Sequence, residues 1–146
     1  MKKNLFVLLS ALLLAVGCSS LPKVYNVEKK TVVLTGGQTM QNAILIGGAS
    51  KHWVMTAVRP GLITGRLYLR GHQVEVKIPY TANTYSIEYA SSENMYYNAK
   101  KSTIHRKYNQ WVRNLDLAIY RAATLPARTA ERMETTAQTA VTLEQK

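Results

Sequence analysis

Apolar and polar positions follow several different rhythms along this chain, and each rhythm predicts a different element. Leu5 to Val16 is apolar apart from Ser10. It follows Lys2 and Lys3 and ends at Gly17, ahead of Cys18, Ser19 and Ser20. Residues 18–30 mix charges with Pro22 and show no period, which predicts a tether. Thr31 to Leu34 predicts a short strand. Thr35 and Gln38 have the spacing of a capping box ahead of a helix over Gln38 to Ser50. Met40, Ala43, Ile44 and Gly47 share one stripe of that helix, and its paired glycines, Gly47 and Gly48, suit close packing on a sheet.

The rhythm then changes to period two. His52 to Val58 is rich in β-formers, and Pro60-Gly61 occupies the central positions of a type II turn. Ile63, Leu67 and Leu69 point one way along the next strand, as do Val74, Val76 and Ile78, then Tyr85, Ile87 and Tyr89. Arg66, Tyr68, Arg70, Gln73, Glu75, Lys77, Ser86 and Glu88 take the other face. Such alternation predicts antiparallel strands with one face buried and one wet. From Ile104 to Ala123 the period becomes helical: Ile104, Tyr108, Trp111, Val112, Leu115, Ala118, Ile119 and Ala122 fall in a sector roughly 120° wide. Ser102 or Thr103 is placed to cap this helix, and Pro126 to end it. Residues 126–146 carry no large apolar stripe and read as a disordered or weakly helical tail. The expected fold is α+β: a four-stranded antiparallel meander with two helices packed on one face, spanning residues 31–125.

The opening run is too short for a spanning helix, which needs about 20 apolar residues. A basic start, a short apolar run and a small residue are the layout of an export signal over residues 1–17. Leu14-Ala15-Val16-Gly17-Cys18 resembles the lipobox of bacterial lipoproteins. That resemblance implies a cleaved signal peptide and fatty acylation of Cys18 (palmitate included), with the protein held on its membrane as a lipid anchor. With Ser19 rather than aspartate next, it implies the outer membrane of the cell envelope. Cys18 is the only cysteine, so no disulfide or thiolate metal site is expected.

Cleavage would leave 129 residues with 17 basic against 8 acidic side chains, a net charge of +9. Beyond the cytoplasm, such a basic protein meets anionic lipids and glycans rather than nucleic acid. The wet sheet face carries Arg66, Arg70 and Lys77 against Glu75 and Glu88. Residues 100–121 carry Lys100, Lys101, Arg106, Lys107, Arg113 and Arg121 against Asp116, the only aspartate. Arg106, Gln110, Arg113, Leu117 and Arg121 form a solvent stripe. Arg106, Lys107, Arg113 and Arg121 are therefore the candidates for holding a polyanion or envelope partner; the plainer reading is a solvated helix face.

Ala43-Ile44, His52-Trp53, Pro60-Gly61, Val74 to Tyr80, Tyr85 to Tyr89, Ser92 with Asn94, and Ile104-His105 running to Tyr108 through Trp111 together resemble a group of small, poorly characterised bacterial lipoproteins. The resemblance covers over half of the chain beyond the leader. It implies a lipoprotein with a compact α/β domain and brings no established reaction with it. In that group glycine commonly stands at the position of His52.

No catalytic motif is present. His52, His72 and His105 lack metal-site spacing, and neither a nucleophile elbow nor a phosphate-cradling loop occurs. No enzyme activity, cofactor or metal is therefore expected. The alternative is a ligand pocket or small active site made from Ser92, Asn94, His105 and Asn109. Against it, Ser92 and Asn94 could simply close a loop. Tyr68, between Arg66 and Arg70, offers a ring for a sugar or peptide to stack on.

Overall fold

The computed structural model describes residues 20–125; the leader, Cys18 and the stretch read as a tail lie outside the described residues. The elements are β1 (Val27–Thr31), α1 (Met40–Ala49), β2 (Val54–Arg59), β3 (Leu62–Leu69), β4 (His72–Pro79), β5 (Thr84–Glu93) and α2 (Arg106–Thr124). The fold is α+β. Strands β2 to β5 form the expected meander, with β3 and β4 continuously in register across the tight turn at Arg70-Gly71 and a register shift beside the turn at Pro60-Gly61. The sheet has five strands rather than four, in the order β1-β5-β4-β3-β2, every pair antiparallel.

The added strand corrects the expected tether. Val27–Thr31 pairs with β5, and Val32 is buried beyond it. Upstream, Lys23 bridges Thr103, the Val24 N–H donates to the Ser102 carbonyl at 2.8 Å, and the Pro22 carbonyl accepts from the Ile104 N–H at 3.0 Å. Within residues 18–30, everything from Pro22 onward is thus bonded into the domain. β1 escaped the period-two test because Val27 is its only fully buried residue, and its other core-side residue at the pairing with Tyr85 is a lysine, Lys30.

One sheet face is closed. Ile63, Val74, Val76, Ile78 and Ile87 are fully buried there, and burial of each such side chain contributes about 1.5–3 kcal/mol. Leu69, expected on that face, lies at the hairpin end and is exposed. Both helices cover the closed face. Gly48 of α1 faces the Met55 side chain of β2, while α2 receives the Tyr85 hydroxyl of β5. Gly47 serves helix packing rather than sheet packing, since a Cβ there would lie 2.6 Å from the backbone N and Cα of Ile119. Only glycine permits that approach.

Both helix starts differ from the capping expected. The cap of α1 is Thr39, whose side chain accepts from the Asn42 N–H; Thr35 sits in the preceding turn. The cap of α2 is His105, whose Nδ1 accepts from the Lys107 N–H at 3.2 Å, in place of Ser102 or Thr103.

Candidate functional site

A β-bulge decides which side chains reach the end of the sheet. The β4–β5 register shifts between Glu75 and Val76, so Val76 opposes Tyr89 while Val74 opposes Ser92. The extra residue, Ala90, places Ser92 on the same face as Tyr89, and their hydroxyls lie 2.9 Å apart. Asn94 follows in left-handed conformation (φ 56°). Its amide donates to the Gly71 carbonyl, and its own carbonyl accepts from His72 Nδ1 at 2.6 Å.

An aromatic chain runs from there. His72 stacks on His105 with ring centres 5.8 Å apart and lies 6.2 Å from Trp111; His105 in turn lies 6.2 Å from Tyr96. Loss of solvent around His105, then His72, Arg106 and Lys107, hold its pKa below the usual histidine value. That favours the neutral ring, as its capping lone pair requires.

Each of the four residues expected to form a polar pocket has a hydrogen-bond partner outside that set. Ser92 bonds Tyr89, Asn94 closes the β3–β4 hairpin against the end of β5, and His105 caps α2. Asn109 is 6% exposed and fully engaged. Its Oδ1 accepts from the Tyr25 N–H at 2.9 Å, and its Nδ2 donates to the Lys23 carbonyl at 2.8 Å. It fastens the N-terminal segment to α2.

The solvent stripe of α2 is exposed as expected, but its charges differ in situation. Arg113 stacks on Tyr25, its guanidinium 4.5 Å from the ring centre. Arg106 and Lys107 lie in the first turn, and Lys107 Nζ reaches Gln110 Oε1 at 3.5 Å. Arg121 lies in the last turn, about 20 Å further along the helix. Asp116, set on the sequence against the basic residues of 100–121, is turned inward. Lys30 Nζ reaches both its carboxylate oxygens, at 2.8 and 3.0 Å, and the Tyr85 hydroxyl donates to Oδ1 at 2.6 Å. Burial first, then the Asp116 carboxylate, keeps Tyr85 far above the usual phenol range and so neutral. This partly buried trio joins β1, β5 and α2. The signal for it in the sequence is a lone aspartate inside a basic helix.

The concavity with recognition chemistry is a groove of about 220 Å³ where the end of α1, the β3–β4 hairpin and α2 meet. Buried Trp53 and Leu67, half-buried Trp111 and exposed Tyr68 and Leu69 line it, with Ser50, Lys51, His52 and Asn114 as its polar edge. Both tryptophans of the chain are in this lining, which contains no carboxylate. His52 adopts φ 62°, the left-handed region where glycine is easiest. A wider hollow of about 560 Å³ lies beside the β1 bulge. Its lining of Asn26, Glu28, Lys29, Ser86 and Glu88 has no aromatic surface.

Among the described residues no helix is long and apolar enough to cross a membrane. No family model, curated protein or solved structure matches this chain.

Proposed function

We propose that this protein is an acylated lipoprotein of the bacterial envelope, held at the outer membrane through Cys18, that works by binding rather than catalysis. Its ligand site is the groove between Trp53 and Trp111, and its ligand an acidic saccharide of the envelope. The observation that carries this reading is the placement of half-buried Trp111 and exposed Tyr68, over the buried ring of Trp53, in one lining with a polar edge. Half-buried Trp111 and exposed Tyr68 give a sugar ring an apolar face to lie on, while Ser50, Lys51, His52 and Asn114 supply hydrogen-bonding groups at the edge. Lys51 and the basic balance of the chain favour an anionic ring over a neutral one. The polar residues nearest to a catalytic constellation are already used to close turns, cap α2 and hold the N-terminal segment, which favours binding.

The groove carries its own reporter. Titrating the full chain with acidic and neutral oligosaccharides should give a saturable change in tryptophan fluorescence for the acidic series. Lys51→Glu should weaken that response about tenfold. A spectrum indifferent to every acidic glycan, in a protein whose unfolding is normal, would remove the groove as the ligand site. Charge reversal at Arg113 separates this reading from one based on the α2 stripe, because Arg113 is not in the groove lining.

A further inference from the structure

We infer that the N-terminal edge of the domain lies flat on a bilayer of anionic lipid, and that Leu21, Lys23, Tyr96, Tyr97, Lys100 and Lys101 form this contact face. The inference rests on the acylation of Cys18 and deepens that reading by fixing which side of the domain meets the membrane.

Chain length supplies the first argument. Pro22 is the first residue whose backbone is bonded into the domain, through the Ile104 N–H. Only four residue steps separate it from Cys18, a reach of at most about 14 Å when fully extended. About 6 Å of that is taken up in crossing the headgroup layer if the acyl chains lie in hydrocarbon. The remainder is close to one Debye length at physiological salt, about 8 Å. Even with the link fully extended, a lysine one residue beyond Pro22 stands within about one and a half Debye lengths of the membrane surface.

Composition supplies the second. Lys23 is fixed against the 98–104 loop, its Nζ donating to the Lys101 carbonyl at 2.6 Å. Lys100 and Lys101 are exposed on that loop, and Arg106 and Lys107 continue the positive charge into the first turn of α2. Leu21, Tyr96, Tyr97 and Lys101 line one shallow hollow, with Tyr96 74% and Tyr97 41% exposed. Tyr96 is held at φ 50°, a costly conformation for an aromatic residue, and its ring is left at the surface. Tyrosines with an apolar neighbour and a surround of lysines are the residues that settle at a headgroup boundary. No carboxylate lies in the hollow, and each lysine near an anionic leaflet contributes about a fivefold gain in binding.

The test uses the acylated full chain. Acylation would consume the only native thiol, so one introduced cysteine carries a unique nitroxide. Lys100→Cys places it on the proposed face. Ala82→Cys places it in the exposed β4–β5 turn at the opposite end of the strands, roughly 25 Å away. Each is reconstituted in vesicles of phosphatidylcholine with phosphatidylglycerol, and in phosphatidylcholine alone. Its contact with a water-soluble relaxing agent is measured, and acylation at Cys18 is read by mass in the same sample. In anionic vesicles the Lys100 label should lose contact several-fold relative to the Ala82 label, and the difference should shrink in neutral vesicles. Equal contact at both sites, with Cys18 acylated, overturns the face and leaves the anchor standing. An unmodified Cys18 in protein recovered from envelopes overturns the anchor, and with it the short link on which the face depends.

Discussion

Two fastenings hold the same N-terminal segment to the same helix, and they are built from opposite chemistry. Asn109 grips it with a neutral amide that satisfies one backbone donor and one backbone acceptor, at Tyr25 and Lys23. Two turns further along α2, Asp116 grips it with a charge, meeting the Lys30 ammonium and the Tyr85 hydroxyl. The first depends on geometry alone, because neither partner can change its protonation. The second depends on keeping two charges and a phenol in one partly buried place. An amide clamp is specific and insensitive to conditions; an ionic clamp is specific and conditional.

The largest effect that separates them should come from Asn109→Asp. A carboxylate there would face the Lys23 carbonyl with no donor to offer, at a site 6% exposed, and should cost about 3 kcal/mol in urea unfolding at neutral pH. Burial and that carbonyl would raise the new carboxyl above its unfolded value of about 3.9. The folded state would then bind the proton more tightly than the unfolded state. The deficit should narrow as pH falls through the raised value, because a protonated carboxyl can again donate. A deficit constant with pH would break this account of the amide clamp.

Asp116→Asn comes next. It keeps the size of the side chain and an oxygen for Tyr85 while removing the charge opposite Lys30. With Lys30 side chain 33% and Asp116 side chain 16% exposed, the expected loss is about 1–2 kcal/mol, smaller in high salt because the pair is not fully screened from solvent. Salt should leave the deficit of an uncharged variant, Asn109→Ala, unaffected, so the two clamps part company in a single denaturation series.

Alkaline titration tests the phenol beside the charge. Burial holds both Tyr85 and Tyr108 above the ordinary value of about 10. A phenol raised in the folded state contributes stability below the unfolded value and loses that contribution as pH climbs above it. Tyrosinate absorbance should therefore show Tyr85 and Tyr108 ionising only as the fold is lost. Free titration of all nine tyrosines in folded protein would contradict the buried geometry.

The smallest effect belongs to His105. Its lone pair caps α2, and its pKa is held down, so the stability it contributes is present above about pH 6.5 and is lost on acidification. His105→Asn should keep the cap, change stability by less than about 1 kcal/mol, and remove that acid-side dependence.

These contrasts also explain what was legible in the sequence. The meander and α2 were readable because their core residues repeat at fixed spacing: Val74, Val76 and Ile78 at two, Tyr108, Val112, Leu115 and Ile119 at three or four. β1 was hidden because its Lys30 position is neutralised by a residue 86 places away, and periodicity has no term for a distant partner. Asn109 reads in the sequence as part of a polar pocket, and its fastening role is hidden because its two bonds go to backbone atoms that carry no side-chain signature. The Ala90 bulge is likewise silent in composition, yet it turns Ser92 back onto the face of Tyr89. The tryptophan groove was half visible: Tyr68 stood out as a ring for stacking. Trp53 and Trp111 line one groove only because the ends of α1 and β3 come against the first half of α2.

The N-terminal edge also sets an order in time. The bonds holding Lys23, Tyr25 and Lys30 span 78 to 86 residues of chain. The hairpins between β2 and β5 close over short turns, and contacts of low separation form first. The first segment of the described domain is therefore expected to dock last, once α2 is there to receive it.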